Sequence, residues 1–344
     1  MSRNMSIETE KKKLHVKALL QGCLLILMTN LIYVGNNYLV SWAGLGAPEV
    51  GLVRGALQIL VFGFLLWRSR GTDPNISQTK FGKLGFYTLL VLYGFSISTS
   101  SFACLAAIPL MPIGDLIVIC FTAPVFCVFL DRIVNKRLLT ILSVSLCCLI
   151  FVGDVFVIQP PFIFPEEDAP QNGTQVFTTE DEKRGPNYYF GVALCLYAGF
   201  AASVGKVVAA KCNNLGVSTS KLMLINGCSS VLLSLVSTIF LTNRVLTNPA
   251  SLPTRAAVFL PLSGSITLLA YWAFTLAIFI TGNPTLIAML RSTEIIISLV
   301  TESIWWGQAP EALSLVGALL VFFCVLGMAA HDKIMMVIRQ KLWT

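Results

Sequence analysis

Ionisable side chains interrupt several long apolar stretches of this 344-residue chain. The clearest are Arg291 and Glu294, which are three residues apart, so on a helix the two side chains lie on one face. One interpretation is an internal ion pair that neutralises the stretch. The other is an arginine that binds an anion while Glu294 orients the anion or accepts a proton. The residues alone leave both interpretations open.

Three further charged residues lie inside apolar stretches and are candidates for the same site. Arg54 either faces an internal cavity or extends towards lipid headgroups, and its five-residue spacing from Glu49 is poor for pairing. Asp115 either complements the start of a helix or pairs with a basic residue across a cavity. Lys206 is either an interfacial anchor or a gate, and the small residues around it predict a face that packs against protein.

Two tyrosines add polar groups to the same stretches. Tyr93 and Tyr271 each stand in a polar or amphipathic patch, and hydrogen bonding between helices explains these patches about as well as contact with a substrate does. Asp154 lies near the outer end of its stretch, and we predict that it sits at the membrane interface.

The charges that the apolar stretches retain do not balance. Three central cations against two central acids leave one positive charge, which predicts that an anionic ligand neutralises the site. The residues counted are Arg54, Lys206 and Arg291 against Asp115 and Glu294. Neither a metal nor a cofactor is predicted, because both histidines are far from any cysteine or acidic cluster and no C-x-x-C motif occurs.

Ten apolar stretches of about 20 residues carry these side chains, and about 20 apolar residues span a bilayer as a helix. The composition agrees: 56% of the residues are hydrophobic and only 12% are charged, about half the share of a soluble domain. Membrane spans of this length must be helical, since lipid offers the backbone no hydrogen-bond partner. The predicted spans are 18–41, 49–67, 84–108, 111–131, 138–158, 188–210, 220–241, 256–280, 284–306 and 311–330.

Basic residues cluster at alternate ends of these spans and therefore predict the orientation. Both termini, 1–17 and the basic tail 331–344, are expected on the cytoplasmic side. The polar segment 159–187 then lies on the lumenal or extracellular side as a flexible linker. It contains Asn172 in an Asn-Gly-Thr sequon, which is expected to be glycosylated.

Five spans precede the linker and five follow it, so the two halves, 18–158 and 188–330, enter the membrane in opposite senses. The segment FTAPVF leading to Leu130-Asp131 aligns with STEIII leading to Thr301-Glu302. The predicted fold is an all-α polytopic membrane protein with ten transmembrane helices in two inverted five-helix repeats.

A family resemblance accompanies these residues. The run PIGDLIVICFTAPVFCVFLDRIVNKRLL resembles the fourth and fifth helices of the EamA-type drug/metabolite transporter superfamily, and NPTLIAMLRSTEIIISLV resembles its ninth. Within it, the chain is most similar to the group-G-like members of solute carrier family 35. The resemblance implies ten helices, two EamA-like repeats, alternating access and export or exchange of small metabolites. It also implies a cation three residues before an acid in the ninth helix, where Arg291 and Glu294 stand.

The expected function is therefore a secondary active transporter or exchanger of a small organic anion. One alternative is a nucleotide-sugar transporter of the secretory pathway, and another is a non-transporting membrane regulator or interaction protein. An enzyme is not expected, because no Ser/His, G-x-G-D or H-E-x-x-H pattern occurs. The expected partners are an anionic small molecule and the lipid bilayer but no nucleic acid, since the net charge of +7 arises at span ends. A homodimer, and a location in the plasma membrane or in the endoplasmic reticulum or Golgi, stay open.

Overall fold

The computed structural model of the protein is almost entirely helical in the residues that it describes. These are residues 2–43, 47–69, 82–107, 110, 116, 119–136, 140–159, 163, 186–241, 254–306 and 312–342. They form eleven α-helices. The helices are α1 Ser2–Ala43, α2 Ala47–Ser69, α3 Gly82–Ala107, α4 Ala123–Asn135, α5 Ile141–Ile158, α6 Pro186–Asn214, α7 Thr219–Leu241, α8 Thr254–Thr281, α9 Pro284–Arg291, α10 Thr293–Trp306 and α11 Ala312–Leu342.

Seven helical segments of the described chain are long and apolar enough to cross a membrane, and segments of α5 and α11 form two shorter apolar helices. The distribution of side chains fits this assignment. Large apolar residues such as Leu60, Phe64 and Phe323 are exposed on the outside, whereas Arg54 and Lys206 are buried. A soluble monomer rarely exposes apolar surface of this extent. The described helices therefore fit a multi-pass membrane protein.

Close helix contacts depend on small residues, because lipid gives apolar helices no driving force to associate with each other. At the crossing of α2 with α7, a Cβ atom added to Gly55 would lie 2.9 Å from the carbonyl oxygen of Gly227. At the crossing of α5 with α11, a Cβ atom on Gly317 would lie 2.6 Å from the carbonyl oxygen of Gly153. Any larger side chain at these crossings would push the helix backbones apart.

The observed helices agree with most predicted spans but differ in two respects. Helices α1 and α11 are longer than predicted, since α1 begins at Ser2 and α11 continues to Leu342. The predicted span 284–306 is divided into α9 and α10 by a turn at Ser292. Of the predicted span 111–131, the first part lies largely outside the described residues, and the second part belongs to α4.

Candidate binding site

Three basic side chains from three different helices lie against aromatic rings in the interior of the protein. Arginine and lysine are attracted to the face of an aromatic ring within about 6 Å of its centroid. We call this group the cation–aromatic cluster. Its members are Tyr33 of α1, Arg54 of α2, Lys206 of α6, Tyr271 and Phe274 of α8, and Arg291 of α9.

Arg54 is buried, with 4% of its surface exposed. Its guanidinium carbon lies 4.5 Å from the centroid of the Tyr271 ring, and its Nη2 donates a 2.7 Å hydrogen bond to Ser230 Oγ. Its Nε has no hydrogen-bond partner, and no acidic side chain of the described residues pairs with it. Of the two alternatives for Arg54, the structure therefore has the interior position rather than the headgroup position.

A ladder of hydrogen-bonded, buried polar side chains continues from Arg54 through Ser230. The hydroxyl of Ser230 is 3.2 Å from that of Ser98 on α3, which donates to Asn226 Oδ1 at 3.1 Å. Asn226 in turn donates to Gln58 Oε1 at 3.4 Å, one helical turn from Arg54. Because the ladder joins α2, α3 and α7, it fixes the position of the arginine relative to three helices.

Arg291 forms an ion pair with Glu294, which is compatible with both interpretations of these two residues. Its Nε donates to Glu294 Oε2 at 2.8 Å, while its guanidinium carbon lies 4.4 Å from the Tyr33 ring centroid and 5.6 Å from that of Phe274. The side chains of Arg291 and Glu294 are 24% and 11% exposed. Arg291 is thus the most accessible cation of the cluster, with three of its neighbours on three other helices.

The pair spans the turn between α9 and α10 rather than one continuous helix. The amide of Ser292 bonds to the carbonyl of Met289 at 2.9 Å, a tighter pattern than that of an α-helix. Asn30 of α1 donates to the carbonyl of Leu290 at 3.0 Å and to Thr293 Oγ1 at 2.9 Å. A side chain inserted into the backbone hydrogen-bond ladder is a recognised cause of a helix break. Asn30 therefore stabilises the turn that positions the pair.

Lys206 lies inside the protein, and its side chain does not extend to the outer surface. It is 6% exposed, and its Nζ is 5.7 Å from the centroid of the Phe274 ring. The predicted packing of its helix is confirmed, because the neighbouring small residues Ala201 and Ala209 are buried. Gly205 lies against Ile97 of α3, so the helix approaches α3 closely on this face.

The two predicted tyrosines occupy different surroundings. Tyr271 lies in the cluster: its ring contacts Arg54, it packs edge-on against Tyr33 at 6.4 Å, and its hydroxyl is 2.6 Å from Ser101 Oγ. Tyr93 is buried in the apolar core, where its hydroxyl is 3.2 Å from Thr275 Oγ1. Tyr93 thus reaches the helix that carries the cluster, but no described contact joins it to a cation.

Several features of the site differ from the sequence predictions or lie beyond them. Asp115 and the sequon residue Asn172 lie outside the described residues. Asp154, which was predicted at the membrane interface, is fully buried between helices, because α11 packs closely over this part of α5. Sequence reasoning also missed Phe274 and Ser230, although Phe274 follows Tyr271 by three residues and so shares its helix face.

The described part of the cluster is electropositive. Arg54, Lys206 and Arg291 bring three cations together, and Glu294 supplies one carboxylate. In the same described residues, no group of three or more histidine, cysteine or acidic side chains is arranged to hold a metal ion. Chemically, the arrangement suits the binding of an anion that contacts guanidinium groups beside aromatic rings.

Comparisons with other proteins give a fold but no family. No protein-family model matches the chain, and none of the curated proteins matches it significantly. The chain is similar to a solved structure described only as "Crystal structure of protein", with a TM-score of 0.63 and 14% sequence identity. The similarity covers 88% of this chain and 94% of that chain. At this identity it shows a shared fold and nothing about activity.

Proposed function

We propose that this chain is a secondary transporter or exchanger of a small organic anion that works by alternating access. The observation that carries the proposal is the excess of positive charge in the cation–aromatic cluster. Arg54 and Lys206 are buried there and Arg291 is partly exposed, and within the cluster only Glu294 pairs with one of the three cations among the described residues. An anion that enters the cluster compensates the remaining charge.

The energies favour a ligand over a purely structural role. A basic residue at the centre of a membrane helix costs about 2.5–3.5 kcal/mol on insertion scales. A cation–π contact returns about 0.5–2 kcal/mol, and Lys206 has this contact at 5.7 Å with Phe274, near the outer limit of such contacts. The aromatic rings therefore reduce the cost of the cations without removing it, whereas an anionic substrate supplies the missing opposite charge.

The packing of the helices supports an inverted repeat. If 18–158 and 188–330 are equivalent halves, then α1 corresponds to α6, α3 to α8, and α2 to α7. Under this correspondence, the contact between α3 and α6 in one half is equivalent to the contact between α8 and α1, and both contacts are extensive. The contact between α2 and α7 is equivalent to itself. Such repeats, with a discontinuous helix at the site, are common in secondary transporters, and α9 and α10 form such a helix here.

The proposal includes the orientation predicted from the basic residues, with both termini in the cytoplasm. In that orientation the linker that contains Asn172 faces the lumen or the cell exterior. Alternating access then exposes the cluster to the two sides in turn. The identity of the substrate will show whether the protein works in the plasma membrane or in the secretory pathway.

Counterflow in proteoliposomes tests the proposed function. Purified protein is reconstituted, and the exchange of labelled mono-, di- and tricarboxylates and sugar nucleotides is measured against choline and glucose. We expect exchange of at least one anion, with loss of more than tenfold in Arg54→Gln. Arg68→Gln is the matched control, because Arg68 lies on the same helix but is exposed.

Two results would contradict the proposal. Exchange of only cations or neutral solutes would refute the anionic substrate. No exchange of any probe by well-folded protein would favour the non-transporting regulator instead. Exchange of sugar nucleotides alone would keep the transport mechanism and assign the chain to the secretory pathway.

A further inference from the structure

A second ionisable group lies in the interior and has no part in the cation–aromatic cluster. Asp154 of α5 is 0% exposed, and neither of its carboxylate oxygens has a hydrogen-bond partner in the part of the chain that the structure describes. The Ser292 hydroxyl lies beside this carboxyl group, although the two groups do not have the geometry of a hydrogen bond. The Ser292 hydroxyl is itself unpartnered and buried.

Two other buried carboxyl groups, those of Glu294 and Asp131, have partners, whereas Glu49 of α2 is also buried and its Oε2 has no hydrogen-bond partner in the described residues. Glu294 pairs with Arg291, and Asp131 accepts hydrogen bonds from Asn135 at 2.6 Å and from Thr285 at 3.4 Å. An isolated carboxylate in a low-dielectric interior costs several kcal/mol, and a cation, a hydrogen bond or a proton must offset that cost. Asp154 has the burial without a described cation or hydrogen bond.

Among the described side chains, the helices around α5 supply no compensating charge to Asp154. Helices α4, α10 and α11 pack against α5, and the Ser292 turn lies beside it. No ion pair or hydrogen bond joins Asp154 to any of the described titratable groups on these elements. Those groups are Cys147 and Cys148 on α5, Cys127, Asp131 and Arg132 on α4, Arg291 on α9, Glu294 on α10 and Cys324 on α11.

We propose that Asp154 is a proton-binding site whose occupancy is coupled to the movement of the anion. This inference rests on the proposed transport function. The carboxylate takes up one proton from water on one side of the membrane and becomes a neutral carboxylic acid, whose O–H can donate to Ser292 Oγ. When the carrier opens to the other side, the same O–H bond breaks and the proton returns to water.

The surroundings fit a proton and not a metal ion. Hard cations take several oxygen ligands, typically six or more. Here one carboxyl and one hydroxyl face each other, and the nearby carbonyls already accept hydrogen bonds. Met289 accepts from the amide of Ser292, while Leu290 accepts from Asn30 and from the hydroxyl of Thr293.

The position of Ser292 links the proton to the anion site. Ser292 forms the turn between α9 and α10, directly after Arg291 and two residues before Glu294. A hydrogen bond between Asp154 and Ser292 attaches this turn to α5. The Ser292 hydroxyl accepts a hydrogen bond from the carboxylic acid and donates one to the carboxylate, so loss of the proton reverses this hydrogen bond and leaves a negative charge beside the turn that carries Arg291 and Glu294.

Infrared spectroscopy of the protein in nanodiscs tests the proton site without any transported substrate. The carbonyl stretch of protonated carboxyl groups is compared at neutral pH in wild type, Asp154→Asn, Ser292→Ala and the matched control Asp131→Asn. We expect a protonated-carboxyl component in wild type that Asp131→Asn keeps and Asp154→Asn lacks. In Ser292→Ala the component should remain but shift in frequency, because its hydrogen-bond acceptor is gone. A spectrum that is the same in wild type and Asp154→Asn would overturn the proposal.

Flux measurements with an imposed pH gradient test the coupling. In proteoliposomes, each unit of pH difference is expected to drive accumulation of a labelled tricarboxylate or sugar nucleotide by up to about tenfold, since one unit equals 1.36 kcal/mol per proton. In Asp154→Asn the ratio of uptake with and without the gradient should fall to one. Equal gradient dependence in the two proteins would refute the coupling, even if the infrared result held. Absence of all flux would refute the transport function, and the infrared result would still decide the proton site.

Discussion

Removing the Arg291–Glu294 pair in steps separates its two interpretations. The variants Arg291→Met, Glu294→Leu and their combination form a double-mutant cycle in which shape is roughly kept while charge is lost. Breaking a buried pair by removing one partner costs about 3–5 kcal/mol. Because the Arg291 side chain is 24% exposed and the Glu294 side chain 11%, we expect about 3 kcal/mol for each single variant.

The double variant is expected to recover most of that loss, because it leaves no unpaired charge and apolar replacements of buried pairs are often neutral. The free energy of unfolding is measured by denaturant titration in mixed micelles with tryptophan fluorescence, and counterflow is measured on the same preparations. We predict a double variant within about 1 kcal/mol of wild type in stability, yet without anion exchange. If the stable double variant still exchanged anions, the pair would have only a structural role. If the two single losses simply added, the side chains would not be coupled.

Three further predictions follow from the packing and the hydrogen bonds. Ser230→Ala removes the hydrogen bond to Arg54. Because hydrogen bonds to charged groups contribute about 1.5–3 kcal/mol, the KM of anion exchange should rise at least about tenfold. An unchanged KM would show that the polar ladder has no part in binding. Gly317→Ala should lower the melting temperature by an amount equivalent to about 1–3 kcal/mol because its Cβ would meet the Gly153 carbonyl, whereas Gly63→Ala, with its nearest contact at 3.8 Å, should not lower it. Asn172→Gln should abolish a glycosidase-sensitive gel shift in protein from mammalian cells, and a shift that survives would reverse the proposed orientation.

The sequence predicted those parts of the site that depend on spacing along one helix. Arg291 and Glu294 stand three residues apart, and their side chains still meet across a tight turn, as expected of residues on one helix face. The burial of Arg54 and Lys206 was one of two alternatives for each. Local sequence cannot distinguish an inward from an outward long side chain, because that choice depends on which helix packs opposite.

The parts that the sequence did not predict depend on contacts between distant residues. The turn at Ser292 is stabilised by Asn30, which is more than 250 residues away along the chain. Asp154 lies near the end of an apolar stretch and was predicted at the interface, but α11 packs over its helix. The partner of Arg54, Ser230, is one of many serines in apolar spans, and only the packing of α2 on α7 distinguishes it.

Ligand-induced stabilisation decides whether the buried cations form an anion site. Melting temperatures of the purified protein are recorded with a panel of carboxylates and with the corresponding neutral amides. A ligand at 100 times its Kd stabilises the folded state by about 2.7 kcal/mol. We predict that at least one carboxylate raises the melting temperature, that its amide does not, and that Arg54→Gln and Arg291→Gln abolish the shift while Arg68→Gln keeps it. Equal shifts with the amides, or full shifts in both charge variants, would contradict an anion site built from these residues.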